Sequence, residues 1–295
     1  MSNMSPMSPE TRHDEDARRE FWIFHMERSA RLLRAMEDGP TQECGEGLGS
    51  IPDAAEEAGV EMWFSDSKIA GDLDRIFFIR RGLIADLMDI GRDMNERGWI
   101  LKIEDGFRTR EMQTQLGRKP AVFDMIVRSC RWECGGQPPS LDLIRRRSTC
   151  LVANFPNHGT HTMAAAVDVS VFRRDDGCEV WRGMPYLEMS EYTPMDSPFV
   201  STEEQANRAD ITAMMERHGF LHYPGEFWHY NKGDALYHLM TKSGQVSGYG
   251  PVHWDPSSGE VTPYDDVRSP LTPPETMANL LDAALARLDS DDGGT

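Results

Sequence analysis

Several scarcities bound the problem before any motif is considered. The five cysteines (Cys44, Cys130, Cys134, Cys150 and Cys178) form an odd set with no Cys-x-x-Cys pair. That argues against a thiolate zinc knuckle and against the disulfide framework of small secreted domains. It points instead to reduced thiols, with Cys130 and Cys134 on one helical face. No apolar run is long enough to cross a bilayer, and the opening residues lack the apolar stretch of an export signal. A cytoplasmic location is therefore expected. Cations are also in deficit, with 31 Lys and Arg against 49 Asp and Glu and a formal net charge of −18. A nucleic acid or an anionic membrane surface would be repelled, so neither is expected as a partner. No internal repeat is present.

What remains is ordinary globular material: 295 residues, 39% hydrophobic, with seven Trp. That length suffices for one sizeable core with appended helices. Residues 1–16 are polar and expected to be disordered. Residues 17–37 carry Phe21, Phe24, Leu32 and Met36 at helical spacing, and 38–58 read as a loop or linker. The spacing predicts further helices over 82–97, 109–117, 120–133, 203–218 and 273–288, with a loose tail over 289–295. Strands are predicted over 99–103 and 166–172, the latter with Val167, Val169 and Val171 on one face. The division expected is an N-terminal segment over 1–58, a main domain over 59–255 and a C-terminal extension over 256–295. This order lacks the regular βαβ alternation of a doubly wound fold. An α+β fold with a small, partly antiparallel sheet flanked by helices fits better.

The chemistry-bearing residues fall in two stretches. His161 and Asp168 lie seven apart, and Glu226 and His229 lie three apart beside Trp228. Two imidazoles and a carboxylate make a three-ligand set that leaves one position open for water, and a second carboxylate stands ready as a base. On a straight helix His161 and Asp168 would sit roughly 10 Å apart along the axis. On a straight strand they would point to opposite faces. The chain must therefore bend between them, with His161 on a loop, Asp168 on the following strand, and Ala164, Ala165 and Ala166 small enough to allow it. Pro224-Gly225 supplies turn chemistry before Glu226, and Phe227, Trp228 and Tyr230 are expected to wall the site. His158 could serve as an alternative ligand but reads more simply as part of a turn. His218, His222, His238 and His253 read as structural, Glu188 and Glu191 as solvated loop charges.

Taken together, these motifs carry a family resemblance. Gly159-Thr160-His161 through Ala164, Ala166 and Asp168 resembles the Ser-x-His-x-x-Gly-x-Ala-x-Asp signature of the D-alanyl-D-alanine dipeptidase family of zinc metallopeptidases. Glu226-Phe227-Trp228-His229 resembles that family's Glu-x-Trp-His. Asp105-Gly106-Phe107-Arg108, followed by a helix with Gln113, is similar to its Asp-Gly-Tyr-Arg motif. Met195-Asp196-Ser197-Pro198-Phe199 is similar to its substrate loop, and Asn231 to Asp234 and Tyr249 to Pro251 occupy its downstream positions. The likeness runs from about residue 60 to 255.

The resemblance implies one zinc per chain on His161, Asp168 and His229. It implies Glu226 as general base on a metal-activated water, and Arg108 as the group that steadies the oxyanion. Asp196, Ser197, Phe199 and Trp228 become the substrate-binding candidates. The implied fold is the one shared by D-Ala-D-Ala metallopeptidases and the hedgehog signalling domain. The implied activity is hydrolysis of a D-Ala-D-Ala-type dipeptide in cell-wall metabolism. The alternatives are a D,D- or L,D-carboxypeptidase acting on longer cell-wall peptides, and a non-enzymatic, zinc-stabilised binding module. This chain departs from the family pattern at Gly159, Ala164, Asp196, Ser197 and Val200. The family's Ser and Asp lie near the substrate amine, so strict D-Ala-D-Ala specificity is not implied, although Asp196 could take that role. Oligomeric state is not legible.

Overall fold

The alternation of Val167, Val169 and Val171 makes Ala166–Arg173 (β5) the central strand of the molecule. A computed structural model describes residues 9–37, 39–69 and 72–292. The other strands of its main sheet are Met62–Phe64 (β2), Trp99–Asp105 (β4), Leu221–His222 (β6) and His229–Asn231 (β7). The sheet order is β2-β4-β5-β7-β6, antiparallel except for the parallel β2–β4 pair. Short two-stranded sheets pair Leu48–Ser50 (β1) with Phe78–Arg80 (β3) and Val252–Trp254 (β8) with Val261–Pro263 (β9). The α+β fold with a small, mostly antiparallel sheet is thus as expected.

Helices cover the valine face of the sheet. Ile51–Ala58 (α2), Ile84–Glu96 (α3) and Thr202–Arg217 (α7) bury Ile51, Leu87, Met94, Ile211 and Met215 against Val167, Val169 and Val171. A second core joins Pro9–Glu37 (α1), Pro120–Glu133 (α5), Leu141–Val152 (α6), Ala235–Thr241 (α8) and Pro274–Asp292 (α9). Arg110–Leu116 (α4) follows β4 and carries Gln113. Among the described residues, no helix is long and apolar enough to cross a membrane. The five cysteines are free thiols.

Some expectations need correction. Helix α1 already begins at Pro9, so 9–16 are helical; residues 1–8 lie outside the described residues. Its buried stripe is Trp22, Met26, Ala30, Leu33 and Met36, whereas Phe24 stands 60% exposed. Helical spacing fits either set, and only the packing partners choose the face. Residues 48–58 are not a loop: Ser50 caps α2 by accepting from the Asp53 amide, and Gly59 closes it at φ 63°. Helix α9 continues to Asp292, where a loose tail was expected from 289.

Candidate metal centre

Register brings the site together. Asp168 on β5 lies opposite His229 on β7 and, across the other edge, opposite Asp105 on β4. Strand alternation would turn Asp105 to the valine face with Ile103. A register shift between Ile103 and Asp105 inserts Glu104 and rotates Asp105 to the side of Asp168 instead. His161 reaches the same point from a tight turn in which the Met163 amide donates to Thr160 and the Ala164 amide to His161. Ala164 sits at φ 53° in the left-handed region, where a Cβ is strained; glycine at the matching signature position fits that geometry. At Gly159 an added Cβ would lie 3.1 Å from Thr162 Oγ1, which itself donates to the Gly159 carbonyl at 2.7 Å. A serine there would crowd that turn.

His161, Asp168 and His229 are buried, and each offers a donor atom within 4.8 Å of the others. His161 Nδ1 donates to the Gly106 carbonyl at 2.7 Å, so neutral His161 turns an unprotonated Nε2 toward Asp168 Oδ1, 3.2 Å away. His229 Nε2 meets Thr160 Oγ1 at 2.9 Å while Nδ1 faces the same Oδ1 at 2.9 Å. Lone pairs aimed at a carboxylate oxygen require a proton or a cation between them. The donor set therefore fits a metal ion, and the outward hydrogen bonds fix the ring orientations as second partners of ligand histidines do. Burial opposes charge on Asp168, but with protons on their facing nitrogens His161 and His229 outweigh it and hold its carboxyl well below the usual range.

Glu226 stands beside the cluster, its Oε2 4.0 Å from His229 Nδ1. The hairpin joining β6 and β7 places it, with the Glu226 amide donating to Tyr223 and the His229 amide to Glu226. Gly225 is required there, because a Cβ would lie 2.5 Å from the Tyr223 ring. Burial pushes the Glu226 carboxyl up to about 7, Asp168 adding to the effect and His229 and Arg108 opposing it.

Arg108 is paired with an acid and placed at the cluster at once. Its Nε donates to Asp105 Oδ2 at 2.7 Å, its Nη1 to Gln113 Oε1 at 3.3 Å and its Nη2 to Asp168 Oδ2 at 3.4 Å. The ion pair with Asp105 and a place at the cluster therefore coexist. Although burial disfavours its charge, Asp105 and Asp168 keep Arg108 firmly protonated. Arg108, Gln113, Tyr223, Glu226, His161 and His229 line a cavity of about 70 Å³, to whose lining Leu33 of α1 also contributes.

The structure distributes the remaining candidates differently. Asp196, Ser197 and Phe199 lie outside that cavity. Asp196 is an exposed partner of Arg28 at 2.9 Å, Ser197 donates to the Glu191 carbonyl, and Phe199 packs edge-on against Phe21 of α1. Trp228 is fully buried between Tyr186 and Phe227. Tyr230 faces away, bonded to Thr212, because strand alternation turns it opposite to His229. Phe227 lies against Arg182 and Arg208 rather than the cluster. Glu191 is not solvated but buried against Arg18. His158 lines the cavity wall, 2.9 Å from Glu37, outside the ligand set. His218 and His222 meet Asp93 and Glu216.

Sequence reasoning missed two groups. The Tyr186 hydroxyl donates to Asp168 Oδ2 at 2.9 Å, and Arg75 reaches Asp105 Oδ2 at 3.5 Å beneath the Tyr186 ring. Both are single residues outside helices and strands, with no spacing signal to reveal them.

Comparison with known proteins agrees with this geometry. Residues 146–246 match the family model described as D-ala-D-ala dipeptidase. That segment contains His161, Asp168, Glu226 and His229, while Arg108 lies before it. The chain is similar to the D-alanyl-D-alanine dipeptidase of Enterococcus faecium, 30% identical over 99 residues, 34% of this chain and 48% of that protein. The chain thus spans about half the length of the curated relative it matches. The resemblance to this peptidase family is shown by both comparisons.

Proposed function

We propose that the protein is a zinc-dependent peptidase that hydrolyses a dipeptide of the D-Ala-D-Ala type. The observation that carries the reading is the meeting of His161 Nε2, His229 Nδ1 and Asp168 Oδ1 beside an unligated, half-buried Glu226. His161, Asp168 and His229 would hold one zinc. Two histidines and a carboxylate suit that ion and leave it a position for substrate. When bound, zinc supplies Lewis acidity, polarising the scissile carbonyl and making water acidic enough to attack near neutral pH.

The chain's own groups do the rest. Glu226, raised by burial toward neutrality, takes the proton of the attacking water and passes it to the leaving amine. Arg108 is held by Asp105 and Gln113 with its charge directed at the reaction centre, where it steadies the developing oxyanion. Tyr186 orients Asp168 through its second oxygen. Leu33 and Tyr223 exclude bulk water and so strengthen each of these interactions. A purely structural zinc needs neither a free, half-buried acid nor a directed guanidinium, which favours catalysis over the binding-module alternative. Cytoplasmic work on cell-wall fragments belongs to the same reading, supported by the free thiols.

The test is metal analysis of the purified protein together with assay of D-Ala-D-Ala and an N-blocked pentapeptide ending in the same pair. One zinc per chain and preferential release of amino acid from the free dipeptide are expected. Preference for the blocked pentapeptide would make the protein a carboxypeptidase. Zinc-loaded protein inert toward both, and toward a panel of D- and L-dipeptides, would leave only a binding role.

A further inference from the structure

We infer that Arg75, which does not line the cavity, is a positioning residue that holds the Arg108 guanidinium toward the reaction centre through Asp105; the inference rests on the peptidase reading above. Asp105 is wholly buried. Its Oδ2 accepts from Arg108 Nε at 2.7 Å and also faces Arg75 Nη1 at 3.5 Å. Its Oδ1 accepts from the Gly106 amide at 3.0 Å. The Arg75 guanidinium also lies over the Tyr186 ring, 5.8 Å from its centroid, and the Tyr186 hydroxyl is the group bonded to Asp168. One side chain outside the cavity thus touches the partner of Arg108 and the partner of Asp168.

The local chain fixes Arg75 in that place. Just after β2 the Ser65 amide donates to the Ile103 carbonyl of β4, and the Ser65 and Ser67 hydroxyls meet at 3.0 Å. Arg75 Nε then donates to the Ser67 carbonyl at 2.8 Å and its Nη2 to Ser67 Oγ at 3.2 Å. The Arg75 side chain is 3% exposed, and arginine is rarely so deep unless it is paired. Electrostatics gives the pairing a purpose. Two carboxylates, Asp105 and Asp168, draw on the charge of Arg108, and such attractions strengthen away from water. Arg75 supplies Asp105 with a second cation, so two guanidiniums stand against two carboxylates. Less of the Arg108 charge is then neutralised by Asp105, and more of it faces the developing oxyanion. The bond to Asp105 also fixes the direction of the Arg108 fork, which a carboxylate held from two sides can do better than one held from one.

The experiment compares Arg75→Met and Arg75→Lys in the full, zinc-loaded chain. Arg75→Met should lower kcat for D-Ala-D-Ala about tenfold and change KM less than about twofold, because the support it removes acts in the transition state. Arg75→Lys keeps the cation and should recover about threefold of that loss. In an Arg108→Ala background Arg75→Met should cost less than about a further twofold, since its effect passes through Arg108. A full tenfold loss in that background overturns the inference, and so does a lysine variant no better than the methionine one. Nuclear magnetic resonance of the Arg108 Nε–H reads the positioning without turnover. Its exchange with solvent should be about tenfold faster in Arg75→Met than in the parent, with Arg75→Lys between them. Equal exchange in all three overturns the inference as well. Should Arg75→Met fail to fold, Arg75→Lys carries the test: a kcat loss of about threefold that vanishes in Arg108→Ala supports the role, and one that persists there overturns it. An inert parent that shows the exchange difference sinks the peptidase reading and keeps the positioning role. An active parent with no coupling between Arg75 and Arg108 does the reverse.

Discussion

The Tyr186 hydroxyl donates to Asp168 Oδ2 at 2.9 Å, which leaves Oδ1 to face His161 Nε2 and His229 Nδ1. One oxygen of the carboxylate is thereby anchored and the other presented. Tyr186→Phe should keep the fold and weaken zinc binding about 10–100-fold, the usual effect of losing an outer partner of a metal ligand. Competition against a fluorescent chelator measures it. An unchanged affinity would make Tyr186 a packing residue only.

Glu226→Gln preserves shape and removes the proton acceptor. Turnover should fall about 10²–10⁴-fold with zinc content intact. For the parent protein, activity should rise with pH as Glu226 loses its proton. Burial sets that carboxyl at about 7 in the metal-free chain, and a neighbouring cation moves the acid limb of the profile to lower pH. Full activity in the variant would dismiss the proposed base.

A chelator such as phenanthroline should abolish hydrolysis and lower thermal stability, and added zinc should restore both. Zinc at a hundred times its dissociation constant stabilises the folded chain by about 2.7 kcal/mol. A melting temperature indifferent to zinc would count against the His161, Asp168 and His229 set.

His25 on α1 responds to acid. Burial lowers its pKa to about 4, Arg28 assisting and Asp196 opposing. The folded state therefore prefers the neutral ring. That preference contributes fully above about pH 6.5 and is lost as pH falls toward 4, a change of roughly 3 kcal/mol. Urea unfolding from pH 7 to 4.5 should show the loss, and His25→Leu should flatten the profile.

Helix α1 is held by burial rather than by its charges. Trp22 is 1% exposed in the helical core, so Trp22→Ala should cost about 3–5 kcal/mol. Arg28 and Asp196 are 46% and 58% exposed, so Arg28→Ala should cost less than about 1 kcal/mol. Equilibrium unfolding of both variants compares them directly.

Much of the fold was legible because its signals are local. The alternating valines of β5, the stop at Gly98 after α3, and the helices α4, α5, α7 and α9 follow from periodicity and capping within a few residues. Helix α6 was missed because Arg145, Arg146 and Arg147 mask its apolar positions, although Arg147 is buried between Glu27 and Glu133. Strands β1 and β3 were missed because three residues carry too little alternation to read. Both gain their pairing from distant partners.

For the site, the sequence by itself determined which donors are present and that the chain must bend between His161 and Asp168, since both follow from side-chain chemistry and short-range geometry. Only the tertiary structure decided that Asp168 faces His229 across one strand pair, that a bulge turns Asp105 toward them, and that Tyr186 and Arg75 join from a distance. It also decided that Asp196 turns outward to Arg28 instead of into the cavity. These are contacts between residues far apart in the chain. They are set by strand register and by the packing of α1, and no local pattern encodes either.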